Sequence, residues 1–154
     1  MRRSINVLCL SATALVLLST GAVAQQKSLK EQIQGPWSLA SCNSTNAKGE
    51  KTVNCASNNP RGILILAGNG NYASTTIAGG RKDANAPGVI ANFGTWSVNE
   101  ADKTLTLHFV AAARDPEIEG TDFKMNISLN QEGMRVTRDR PDGGHFDLSY
   151  RRFK

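Results

Sequence analysis

The chain has 154 residues, 40% of them hydrophobic and 20% charged, with a formal net charge of +5. This length suits one domain with a real core. The basic excess is mild; Arg135, Arg138, Arg140, Arg151, Arg152 and Lys154 gather near the end but aspartates intervene, so a solvated face is expected, with an anion-attracting rim as the alternative, and nucleic acid is not expected.

The chain opens MRRSINVLCLSATALVLLSTGAVA. Arg2 and Arg3 form a basic n-region, residues 7–18 an apolar run, and Ala22-Val23-Ala24 a small-x-small cleavage site. This pattern predicts a secretory signal peptide over residues 1–24 and one domain over residues 25–154. The apolar run is too short to cross about 30 Å of hydrocarbon, so no membrane span is expected. Cleavage after Ala24 removes Arg2 and Arg3, takes the net charge from +5 to +3, and places the protein in the periplasm or outside the cell.

Cleavage also removes Cys9 and leaves Cys42 and Cys55. Residues 39–42, LASC, have the letters of a lipid-attachment box. They follow the polar KSLKEQIQGP and not an apolar run, so lipidation is not expected. Two cysteines in an exported chain predict a disulfide, with two free buried thiols as the alternative. Such a bridge contributes about 3 kcal/mol, mainly by restricting the unfolded chain. There is no CxxC, and His108 and His145 lie far away in sequence. No metal site and no cofactor are therefore expected.

LKEQI, residues 29–33, predicts a short helical turn leading into Gly35-Pro36, and strands follow. Trp37 and Leu39 share one parity. GILIL, residues 62–66, is continuously apolar, which leaves open whether Leu64 or Ile65 faces inward. Asn69-Gly70 then turns the chain into NYASTTI, a strong hairpin signal because both residues tolerate positive φ. FGTWSV leads through NEADK to TLTLHFV, where Leu105, Leu107 and Phe109 face one way and Thr104, Thr106 and His108 the other. In DFKMNISLN, Phe123, Met125, Ile127 and Leu129 share a face. Met134 and Val136 do so in MRVTR, and Phe146, Leu148 and Tyr150 in HFDLSYRRF. Residues 78–91 and 111–121 read as long connections of the kind that often carry function.

Period-two alternation means that each strand buries one face and wets the other. With no helix to cover it, the sheet must close on itself, which also removes exposed edges. The expected architecture is all-β: a small antiparallel up-and-down barrel of about eight strands, preceded by the signal peptide and the helical turn, with a sandwich as the alternative.

Several motifs point further. GPW at the first strand, NPRGILILAGNGNYAS over residues 59–74, FGTWSVNEADKTLTLHFV, GTDF, MRVTR and the closing SYRRF together resemble bacterial lipocalin-like domain proteins of the lipocalin/calycin superfamily. The resemblance spans residues 29–154. The ARDPEIEG connection and the Cys42/Cys55 pair are not features that family requires. The resemblance implies that Trp37 packs across one barrel end beneath an arginine, which parity assigns to Arg152. A cation–π contact of this kind is worth about 0.5–2 kcal/mol. Both residues are structural in this reading, and Arg151 points to solvent.

No GxSxG or other nucleophile setting appears, and both histidines read as surface residues, so no catalytic residue is assigned. Asp115, Glu117, Glu119 and Asp122 lack EF-hand spacing and read as solvated loop charges. Gly68-x-Gly70 is a hairpin turn and no phosphate cradle, since no helix follows it. The candidate barrel lining is Tyr72, Leu105, Leu107, Phe109, Phe123, Met125, Ile127, Met134, Arg138, Phe146, Leu148 and Tyr150. These residues either line a ligand cavity or simply pack. Arg138 shares parity with Met134 and Val136. It therefore points inward, where it can meet a carboxylate, or frays into solvent. The expected function is an exported binding protein for a small apolar or amphipathic ligand, without catalysis. The alternatives are a periplasmic protein–protein module such as a protease inhibitor, using residues 25–34 as its inserting segment, and a barrel isomerase or cyclase.

Overall fold

The computed structural model describes residues 27–51, 60–78 and 88–153. The expected signal peptide and Cys55 lie outside the described residues. Helix α1 spans Leu29–Ile33, over the stretch read as a helical turn. A capping box starts it: Ser28 Oγ accepts from the Glu31 amide at 3.2 Å and the Glu31 carboxylate accepts from the Ser28 amide at 2.8 Å.

Eight strands follow: β1 Gly35–Thr45, β2 Arg61–Leu66, β3 Asn71–Ala78, β4 Gly88–Asn99, β5 Thr104–Ala112, β6 Asp122–Asn130, β7 Gly133–Asp139 and β8 His145–Arg152. Each pairs antiparallel with the next, and β8 pairs back to β1, which closes an up-and-down barrel. The inward faces of the strands supply one buried cluster that includes Trp37, Leu66, Leu105, Met125, Met134 and Tyr150. Burying a Leu, Val or Met side chain fully contributes about 1.5–3 kcal/mol. That term favours the one register in which every strand turns its apolar parity inward. In β2 the inward residues are Leu64 and Leu66, whereas Ile65 is 39% exposed.

Where the structure departs from the period-two expectation, local geometry explains it. The β2–β3 turn has three residues, because the Ala67 amide bonds the Asn71 carbonyl at 2.8 Å. Only Gly70 takes positive φ, at 87°; Asn69 instead accepts from the Asn71 amide at 3.1 Å. Strand β4 begins at Gly88, and β5 runs on to Ala112. Both connections are therefore shorter than residues 78–91 and 111–121, and the second folds a 3₁₀ turn, Pro116–Ile118. Thr104, expected on a wet face, is buried, because the β4–β5 turn folds onto β6, where the Ile127 amide donates to the Lys103 carbonyl at 2.8 Å.

Two bulges redirect side chains. In β1 the register passes from Leu39↔Tyr150 to Ser41↔Ser149, so Ala40 is an extra residue. Trp37 and Leu39 face inward before it, and Cys42 and Ser44 after it, opposite Leu148 and Phe146. In β5 the extra residue is Val110, between Phe109↔Gly94 and Ala111↔Phe93. A Cβ on Gly94 would meet the His108 carbonyl oxygen at 1.8 Å, so this bulge requires glycine there.

Candidate functional site

The two ends of the barrel are built differently. At one end α1 lies across the opening, with Ile33 fully buried. Its first amides, of Leu29 and Lys30, donate to the Glu100 carboxylate from the β4–β5 turn, each at 2.9 Å. Its last carbonyls are also satisfied. Trp37 Nε1 donates to the Ile33 carbonyl at 2.7 Å, and the Arg152 guanidinium donates to the carbonyls of Gln32 and Gln34. The same guanidinium lies 3.9 Å from the centre of the Trp37 ring. Met134 pairs with Tyr150, and Tyr150 with Leu39, two residues from Trp37. These candidate lining residues thus belong to the sealed half. Leu105, Leu107, Met125, Ile127 and Leu148 are buried in the same cluster. Burial raises the hydroxyl pKa of Tyr150 far above the ordinary phenol value.

Toward the opposite end the described inward side chains are less deeply buried and include a charged one. Phe123, Phe146 and Arg138 are half-buried there. A chain of edge-to-face rings crosses the interior: Tyr72 to Phe109 at 6.3 Å, Phe109 to Phe123 at 6.1 Å and Phe123 to Phe146 at 5.6 Å. Gly94 makes the first contact possible. It pairs with both Tyr72 and Phe109, and with no side chain it lets two rings from flanking strands meet across β4. The Arg138 guanidinium lies 4.1 Å from the centre of the Phe123 ring, inside the barrel and not frayed into solvent.

Two polar atoms of the barrel interior are anomalous. The Tyr72 hydroxyl and Asn92 Oδ1 are buried without a hydrogen-bond partner. Burial raises the Tyr72 pKa strongly, so the hydroxyl keeps its proton as a donor. Asn92 shares the inward parity of Gly94 and Trp96, and pairs with Ser74, the next inward position after Tyr72. A buried polar group left unpaired costs about 1–3 kcal/mol. Thr104 Oγ1 is a third such atom, on a strand end away from this cluster.

The remaining polar candidates face outward. His108 Nδ1 meets Asp122 at 2.8 Å and His145 Nδ1 meets Asp139 at 2.7 Å, both as cross-strand pairs on the outer wall. Glu119 accepts from the Ala112 amide at 2.9 Å, and Asp115 lies 3.9 Å from Arg114, so the acidic loop residues are dispersed. Among the described residues no group of three His, Cys, Asp or Glu side chains can hold a metal ion. The expected pairing of Cys42 with Cys55 falls outside the described residues. A shallow depression of about 530 Å³ runs outside the sealed end, between α1 and the β6–β7 turn, lined by Glu31, Gln32, Asn130 and Arg151 among others. None of the buried unpaired atoms faces it.

Sequence reasoning did not assign Asn92, Arg140 or Ser44 to the barrel interior. Carrying parity back from Trp96 through Gly94 reaches Asn92, and carrying it on from Arg138 reaches Arg140. Ser44 carried no such signal, because the bulge at Ala40 breaks the parity of β1.

The eight-stranded closed barrel is compatible with a lipocalin-like fold. The chain matches no protein-family model and no curated protein. Among the described residues no helix is long and apolar enough to cross a membrane.

Proposed function

We propose that the protein is an exported, lipocalin-like binding protein whose barrel takes a small apolar or amphipathic ligand through its open end, without catalysis. The observation that carries this reading is the pair of buried, unpartnered atoms, Tyr72 Oη and Asn92 Oδ1, on adjacent inward positions of β3 and β4. A barrel filled only for stability gains more from apolar residues at such positions. The half-exposed faces of Phe123 and Phe146 supply apolar surface further along the ring chain that starts at Tyr72. Both histidines lie on the outer wall, away from the interior, which favours binding over acid–base chemistry. Export and the Cys42–Cys55 bridge are part of the same reading and rest on the N-terminal pattern and the cysteine arithmetic.

The test is fluorescence of N-phenyl-1-naphthylamine, a neutral apolar dye, mixed with the purified protein. The expected result is enhanced emission that dodecanoate reverses. No change in emission up to the dye's solubility contradicts the reading.

One observation favours a second reading, a protein-binding module. Ile65, Phe93 and Val110 are exposed together along one outer row of β2–β5, through the pairs Ile65↔Ala73, Ala73↔Phe93 and Phe93↔Ala111. Insertion of the N-terminal segment into a partner fits less well, because α1 is tied into its own barrel at both ends. Pull-down with Phe93→Ser and Val110→Ser against the unaltered protein separates this reading from the first.

A further inference from the structure

We infer that the open end of the barrel holds the oxyanion head of an amphipathic ligand, a carboxylate or a phosphate, through Arg138 and Arg140. The inference rests on the binding reading above and names the ligand's head group. Arg138 follows Met134 and Val136 on the inward parity of β7 and pairs with Phe146. Arg140, at the entry to the β7–β8 turn, donates to the Oγ of Ser44, which is fully buried. A guanidinium carries five N–H donors. The ring face beneath Arg138 uses none of them, and Ser44 takes one from Arg140.

Neither guanidinium forms an ion pair among the described residues. The outward arginine of the same strand behaves otherwise: Arg135 binds both oxygens of Asp147, at 2.9 and 2.6 Å. The nearby carboxylates are committed elsewhere. Asp139 meets His145, Asp142 accepts from the Gly144 amide, Glu119 accepts from the Ala112 amide and Asp122 meets His108. Arg138 and Ser44, the partner of Arg140, thus flank Phe146, and no carboxylate among the described residues forms an ion pair with either guanidinium. Residues two apart on a strand lie about 7 Å apart, so two planar forks can grip one oxyanion from either side. The rings of Phe123, Phe146 and Phe109 continue inward from Arg138, where an apolar tail would lie, with the Tyr72 hydroxyl beyond them.

The experiment displaces N-phenyl-1-naphthylamine from the purified protein with dodecanoate, dodecyl phosphate and dodecanol, which share one chain length. The expected result is that at least one of the two anions displaces the dye at about one-tenth the concentration that dodecanol needs. The preferred anion distinguishes the carboxylate from the phosphate source. Arg138→Gln and Arg140→Gln each shrink this advantage by about threefold or more, whereas Arg151→Gln, on the outer face, leaves it unchanged. Far-UV circular dichroism checks that each variant folds; should one fail, the unaltered protein and the other variant still decide. Dye binding with dodecanol as effective as both anions, or an advantage that survives both substitutions, overturns the inference and leaves the binding reading standing. Failure of the unaltered protein to bind the dye overturns both.

Discussion

Both ends of the barrel stack an arginine on an aromatic ring, at nearly the same distance: Arg152 over Trp37 at 3.9 Å and Arg138 over Phe123 at 4.1 Å. What surrounds the two pairs differs. At the sealed end the guanidinium's N–H groups are taken by the carbonyls of Gln32 and Gln34, and the indole N–H by Ile33. At the other end no backbone group among the described residues claims Arg138, and deeper in the barrel the Tyr72 hydroxyl and Asn92 Oδ1 are unpartnered as well. On the proposed reading the same contact is a structural clamp where its donors are used up and a receptive site where no described group takes them.

Ring removal should break this comparison most visibly. Trp37→Ala should cost about 3–5 kcal/mol in urea unfolding, because it opens a cavity beneath α1 and orphans the Ile33 carbonyl. Phe123→Ala, on a half-exposed ring, should cost about 1–2 kcal/mol. Equal losses would mean that the two ends are packed alike. Next in size is the arginine pair. Arg152→Met leaves two carbonyls without donors and should destabilise by about 1–3 kcal/mol. Arg138→Met should stay within about 0.5 kcal/mol of the unaltered protein; a thermal-melt series on both separates clamp from site.

Tyr72→Phe sharpens the comparison with an effect of opposite sign. It deletes a buried hydroxyl that has no partner, so stability should rise by up to about 1 kcal/mol while affinity for the ligand falls. A loss of stability here would show that the hydroxyl is already satisfied. The smallest effect concerns pH. The hydrogen bond and charge of Arg135 hold the Asp147 carboxyl below its ordinary pKa. The pair's contribution is therefore present above the unfolded carboxylate pKa, near 3.9. It fades as pH falls through the lower folded value. Asp147→Asn should flatten the acid limb of a stability–pH curve slightly and leave ligand binding unchanged, because this pair lies on the outer wall.

Much of the barrel was legible because alternation is a direct print of one-sided burial. Phe123, Met125 and Ile127 in β6, and Leu148 and Tyr150 in β8, read correctly as inward because those strands are regular. Trp37 and Arg152 could be matched by parity because the β1 bulge comes after the one and β8 carries no extra residue before the other. Ser44 was hidden for the complementary reason, since the extra Ala40 reverses the parity that follows it. Asn92 escaped notice because residues 88–92 look like loop composition, yet antiparallel pairing with β3 extends β4 through them. Strand pattern says which way Arg138 points. It cannot say that the neighbouring carboxylates are engaged elsewhere, because that is a property of three-dimensional partners.

The central claim is that one end of this barrel is sealed and the other receives a ligand. Its most direct test is two-dimensional NMR of the protein during titration with dodecanoate. The account predicts shift changes concentrated at Tyr72, Asn92, Phe123, Arg138 and Phe146, with Ile33, Trp37 and Met134 unmoved. Saturating dodecanoate with no shifts at the open end, or shifts confined to α1 and the β6–β7 turn, would contradict it.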